Sequence, residues 1–60
     1  MKFAINIDMD NAAFEDMNGA EVARILEDAA RAVYGSLNVG DTGPLRDVNG
    51  NKVGTWSVSE

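Results

Sequence analysis

Residues 6–16 read NIDMDNAAFED and hold four carboxylates, Asp8, Asp10, Glu15 and Asp16, with no Lys or Arg among them. Glu21 adds a fifth before the first Arg of the chain. Carboxylates at such spacing can ligate a cation, trade protons with a substrate, sit at a helix start, or face a basic partner. Calcium fits poorly. With Asp8 as position one of an EF-hand loop, Asp10 falls correctly at three. Ala12 then occupies position five, Ala13 replaces the turning Gly, and Gly19 stands where the bidentate Glu belongs. A second Asx-rich stretch, DVNGNK, spaces Asp47, Asn49 and Asn51 correctly but lacks the Gly at six and ends on Val58. No metal site is expected.

Catalysis fits no better. The chain has no His and no Cys, so a nucleophile has to be Ser, Thr, Lys or a carboxylate. Asp8 and Asp10 would perturb each other's pKa if an extended strand carried both on one side. Yet 60 residues enclose little concavity, and active sites need a pocket. The glycines at 35, 40 and 43 lack the Lys-Ser/Thr of a phosphate-binding loop. The reading is of a protein that is not an enzyme and needs no cofactor.

Two explanations remain. In the plainer one, Asp8 and Asp10 close a strand and discourage unwanted sheet pairing. Glu15, Asp16 and Glu21 then complement a helix N-terminus, whose dipole favours anions. That accounts for position better than for number, because each further carboxylate adds repulsion. In the other, the five acids form a contact surface for a basic groove on another protein, with long-range, salt-sensitive steering.

The charge distribution is consistent with that contact surface. Residues 1–23 carry Lys2 against five acids, a sum of -4; residues 24–60 carry four bases against five acids, a sum of -1. A net charge of -5 argues against direct nucleic-acid binding, which requires a basic footprint. No apolar run approaches the ~18 residues of a membrane helix. The opening MKFAINID has no apolar signal-peptide core, so the expected address is the cytoplasm.

The elements that must position these acids follow from periodicity. In KFAINIDM (2–9), Phe3, Ile5, Ile7 and Met9 alternate with Lys2, Ala4, Asn6 and Asp8, as in a half-buried strand. Phe14 and Met17 are spaced to form one turn over the core. Asn18 and Glu21 have the spacing of a capping box. Val22, Ile25, Leu26, Ala29, Ala30 and Val33 then make the apolar stripe of a helix over about 19–34, closed by Gly35. SLNVGDTGP (36–44) reads as a loop. LRDVNGNKVGTWSVS reads as a hairpin turning at Asn49-Gly50, both suited to positive φ. A two-residue turn pairs Leu45 with Gly54, and a four-residue loop pairs it with Trp56. Either places Leu45, Trp56 and Val58 on one face, with Gly54 leaving room for the indole or the helix. Trp56 and Phe14 are expected in the core, and Tyr34 is the aromatic least expected there.

The predicted fold is therefore α+β: a single domain over 1–60, in β-α-β-β order. The three-stranded antiparallel sheet has strand order 1-3-2, with one helix on one face. Ala4, Asn6, Arg46, Val48, Val53 and Thr55 are assigned to the open face. So small a core invites a partner subunit, and the chain has no disulfide or zinc ligand to substitute for one.

The runs IDMDNAAFED, EVARILEDAARAV and GPLRDVNGNKVGTW together resemble a group of short acidic proteins encoded by phages, prophages and other mobile elements, mostly of unassigned function. The resemblance carries no catalytic residues. Size, acidity and a mobile-element setting also look like anti-CRISPR and antirestriction proteins, which inhibit host defence by stoichiometric binding, some by mimicking DNA. What this implies is a non-catalytic inhibitor in the host cytoplasm. Its acidic edge of Asp8, Asp10, Glu15, Asp16 and Glu21 would engage a basic surface of a host nucleic-acid-binding complex. The competing reading is a small structural or regulatory module, homodimeric through the open sheet face, whose acids serve solubility and helix capping.

Overall fold

Phe3, Ile5 and Ile7 stand opposite Val58, Trp56 and Gly54 across an antiparallel ladder, and this pairing places the first strand beside the last. The computed structural model describes residues 1–60: β1 (Lys2–Ile7), a 3-10 turn (Ala12–Phe14), α1 (Asn18–Ala32), β2 (Thr42–Arg46) and β3 (Lys52–Ser59). The sheet order is β1-β3-β2, and both ladders are antiparallel, giving the α+β fold that alternation and helical spacing predict. The core gathers Phe14 from the 3-10 turn, Ile25 and Ala29 from α1, and Leu45, Val53, Trp56 and Val58 from the sheet. The Phe3 ring stacks on Trp56 with centroids 5.8 Å apart. Tyr34 is 93% exposed.

Several local features depart from the sequence reading, each for a physical reason. β1 ends at Ile7, two residues early, because Asp8 accepts the Asp10 N–H at 3.1 Å and turns the chain. The capping box does not form. Met17 is the N-cap, in the left-handed region at φ 50°, with no side-chain cap, and Glu21 bonds elsewhere. Met17 is 74% exposed rather than over the core. The helix ends at Ala32 with Val33 as its C-cap; Gly35, at φ +113°, lies beyond it and turns the chain.

Part of the predicted loop 36–44 is strand, since β2 begins at Thr42. Gly43 and Pro44 are poor strand formers, but each has a place on an edge strand. A Cβ at Gly43 would lie 2.5 Å from the Trp56 Nε1, so this glycine, and not Gly54, makes room for the indole. At the turn, Leu45 pairs with Gly54, the register of the two-residue alternative, but Arg46 pairs with Lys52. Val53 is therefore an extra residue, a β-bulge that turns its side chain into the core instead of onto the open face. The connection is the five residues 47–51. Only Gly50 within it takes positive φ, at 85°; Asn49 does not.

α1 stands closest to β2 and the 3-10 turn. Its cover over the helix-side face is consequently partial, leaving Phe3 and Ile5 on β1 and Leu26 on α1 half-exposed. The molecule is long and thin, 35 × 18 × 17 Å, with a radius of gyration of 12.0 Å against ~10.4 Å for an average 60-residue domain.

The uncapped helix start yields a test. An L-residue in the left-handed region costs about 1–2 kcal/mol, and an exposed Met17 side chain returns little of it by packing. Met17→Gly is expected to stabilise the fold by about 0.5–1 kcal/mol in urea unfolding, after the greater flexibility of the unfolded chain is deducted.

Candidate functional site: an acidic end and its anchor

The N-terminal acids are placed by the turn that follows β1. The Asp8 N–H extends the β1–β3 ladder by donating to the Val53 carbonyl at 2.7 Å, while the Asp8 carboxylate receives the Asp10 N–H. Asn11 comes next, and its side-chain oxygen accepts the Ala13 N–H at 2.9 Å, capping the 3-10 turn. The turn drives Phe14 into the core and leaves Glu15 and Asp16 outside.

The structure brings Asp8 and Asp10 together. A hydrogen bond to Asp8, and then the repulsion of its charge, hold the Asp10 carboxyl above the ordinary carboxylate range. The two line a shallow groove with Asn6, Asn11 and Lys52, at the end of β1 beside the start of β3. Lys52 forms no ion pair with either. Glu15 and Asp16 follow on the exposed link to α1.

Glu21 is set apart from these four. Its carboxylate takes two hydrogen bonds from Arg24, at 3.0 and 3.1 Å, and one from the Val48 N–H at 2.8 Å. The Arg24 hydrogen bonds hold its pKa below the ordinary value, against the opposing effect of partial burial. Arg24 also pairs with Asp28 at 2.9 Å, and Arg31 joins Asp28 from the following turn. The three ion pairs of the chain thus lie in one row along α1, and none includes Asp8, Asp10, Glu15 or Asp16.

What fixes the acidic end in space is Asp47, which sequence reading had considered only as a calcium-loop position. It is 3% exposed, the one buried charged residue. One carboxylate oxygen accepts the backbone N–H groups of Asn49 and Asn51, each at 2.9 Å. The other accepts the side-chain amides of Asn11 at 2.8 Å and Asn51 at 3.3 Å. Burial pushes the Asp47 carboxyl up. The Asn51 N–H, the Asn11 and Asn51 amides and the Asn49 N–H outweigh that and bring it below the ordinary value. The alternation Asp-x-Asn-x-Asn was the signal available in the sequence. In the fold it sets the Asp47 carboxylate against the backbone N–H groups of Asn49 and Asn51 and the Asn51 side-chain amide. Through Asn11, Asp47 ties the hairpin loop to the acidic turn across 36 residues of chain.

No three carboxylates converge closely enough to hold a metal ion. No helix is long and apolar enough to cross a membrane. No family model, curated protein or solved structure matches the chain. Asp8 and Asp10 thus share one groove, and Glu15 and Asp16 lie exposed on the link that follows the anchored turn.

Proposed function

We propose that this chain is a non-catalytic binding protein whose acidic end, formed by Asp8, Asp10, Glu15 and Asp16, docks on a basic protein surface. One observation carries the reading. On α1, Glu21 and Asp28 are paired with arginines, whereas the four acids of the turn have no cationic partner although Lys52 lines the same groove as two of them. Asp8 opposes the ionisation of Asp10 beside it, a cost that a docked Lys or Arg would relieve. Glu21 belongs to the same negative field but acts through it, because its oxygens are committed to Arg24 and Val48. The resemblance to short phage-encoded proteins directs the search for the partner. A host nucleic-acid-binding complex has a basic groove shaped for phosphates, and occupying it would make this chain an inhibitor of the anti-CRISPR or antirestriction kind.

The test uses the tagged chain as bait in nuclease-treated bacterial lysate. Captured proteins should be nucleic-acid-binding, should elute as salt rises from about 0.05 to 0.5 M, and should be displaced by duplex DNA. Asp10→Lys combined with Glu15→Lys, both exposed positions, should lower retention at least about tenfold while leaving the circular dichroism spectrum unchanged. A charge-reversed chain that retains the same proteins with the same salt profile would refute the proposal.

A further inference from the structure

The two edges of the sheet are finished differently. On the β2 side, the Val58 N–H donates to the Asp41 carbonyl at 2.9 Å. The two-residue period of the ladder then turns the backbone of Gly43 and Leu45 toward β3, and that of Thr42, Pro44 and Arg46 outward. Pro44 has no N–H to offer there, and the Arg46 carbonyl is occupied by the Arg24 guanidinium at 2.9 Å. That edge is blocked in the way sheets commonly resist further pairing.

β1 has no such protection. The Asp8 N–H points to Val53, so the same period bonds Lys2, Ala4 and Asn6 to β3. Phe3, Ile5 and Ile7 are left holding their N–H and C=O groups outward. From Phe3 to Ile7 there is no charge and no Pro, and the β1–β3 register is unbroken. The side chains of Phe3 and Ile5 are 46% and 37% exposed on the helix side, where α1 does not cover them. The folded chain exposes 4187 Å², against ~3,800 Å² for an average monomer of 6.4 kDa.

We propose that β1 pairs antiparallel with β1 of a second copy about a two-fold axis through Ile5, joining two sheets into one of six strands. The register follows from the residues. Outward backbone groups must meet outward backbone groups, and apolar side chains must share the helix side; both conditions set odd-numbered residues opposite odd-numbered ones. Centred on Ile5, the pairing sets Phe3 opposite Ile7 and Lys2 opposite Asp8, twice by symmetry. Centred on Ala4 it would leave Lys2 against Asn6, and centred on Asn6 it would set Asp8 against Ala4. Lys2 and Asp8 fall in the non-hydrogen-bonded positions, where opposite side chains approach most closely. This charge complementarity selects a second copy as the occupant. The helices, seated toward β2, stay clear of the join. Asp8 alone of the four docking acids is shared with it, leaving Asp10, Glu15 and Asp16 to the acidic end.

Sedimentation equilibrium at about 1 mM chain should give a mass near 12.8 kDa, twice 6.4 kDa, dissociating on dilution. Lys2→Asp or Asp8→Lys alone sets like charges opposite each other twice and should weaken the dimer about tenfold or more. The double exchange, Lys2→Asp with Asp8→Lys, should recover it to within about threefold. In the unmodified chain, amide exchange at Phe3, Ile5 and Ile7 should slow as concentration rises. A 6.4 kDa species at every concentration overturns the proposal. So does a double exchange that fails to recover, or a dimer that leaves those three amides unprotected, which would place the contact on the open sheet face.

Discussion

Asp47→Ala is expected to lower the melting temperature by roughly 10–20 °C, the range that loss of a buried, charge-assisted hydrogen-bond hub implies in a domain this small. The alanine leaves the N–H groups of Asn49 and Asn51 and the amide of Asn11 without their acceptor in a site only 3% exposed. The loop 47–51 then loses the bonds that fold it back on itself, apart from the Asp47–Asn51 and Asp47–Gly50 backbone pairs. The 3-10 turn is released from the hairpin at the same time. Asp47→Asn separates shape from charge. Its oxygen still accepts from Asn49 and Asn51, but its new NH₂ faces the donor amides of Asn11 and Asn51, so it should fall between parent and alanine. Thermal unfolding followed by circular dichroism checks the order. An alanine variant melting within a few degrees of the parent would show that the hub is dispensable.

The same residue sets the response to acid. Asp47 has a folded-state pKa below its ordinary 3.8, so the stability it contributes is complete above that value and is lost as pH falls through the lowered one. Glu21, lowered from 4.5 by Arg24, behaves alike. Asp10 has the opposite sign. Its pKa is raised, so its ionised form weakens the fold above the raised value, and protonation removes that penalty. Urea midpoints should therefore hold or rise slightly as pH falls through the raised Asp10 value, then fall below about 4 as Asp47 and Glu21 take up protons. In Asp47→Asn the fall below 4 should be shallower.

Strand order and the core positions Ile25, Ala29, Leu45, Trp56 and Val58 were legible in the sequence because they rest on side-chain period. The alternation of Phe3, Ile5 and Ile7, and the even-numbered spacing of Gly54, Trp56 and Val58, dictate which faces meet. What periodicity does not encode is an interruption of itself. One extra residue at Val53 reversed that side chain's face, and no residue type at 52–54 announces a bulge. The α1 start was misread because two capping solutions competed for Glu21. The rejected one would have satisfied two N–H groups at the helix start, one of them through Glu21, while the adopted one gives Glu21 the Arg24 guanidinium and the Val48 amide 27 residues away. At the acidic end, the adjacency of Asp8 and Asp10 was legible from spacing, although a turn and not a continuing strand produces it. Asp47 was visible as an Asx pattern, but its role depends on Asn11, a contact that exists only once β1 lies beside β3.

Gly54→Ala should be the most damaging single methyl in the molecule. Across the ladder from Ile7, a Cβ at this position would collide with the carbonyl oxygen of Asn6 and crowd the carbonyl carbon at 2.9 Å and the Ile7 Cα at 3.1 Å. All three are backbone atoms of β1 and cannot rotate aside. The strand must move, and Asn6 and Ile7 are both in register with β3, so moving them opens the end of the ladder that holds the acidic turn. Gly43→Ala is the control. Its obstacle is the Trp56 indole, a side chain able to shift, and the cost should be the ~1–3 kcal/mol of ordinary overpacking. Gly54→Ala should exceed ~3 kcal/mol, a large share of the stability of a small domain. In urea unfolding, Gly43→Ala should keep a cooperative transition with altered Trp56 fluorescence. Gly54→Ala should lose protection of the β1 amides, with Trp56 emission red-shifted as Phe3 leaves its ring. A Gly54→Ala chain as stable as Gly43→Ala would mean that β1 yields to the methyl without leaving β3, and that the close approach at the bulge is not what holds the first strand in place.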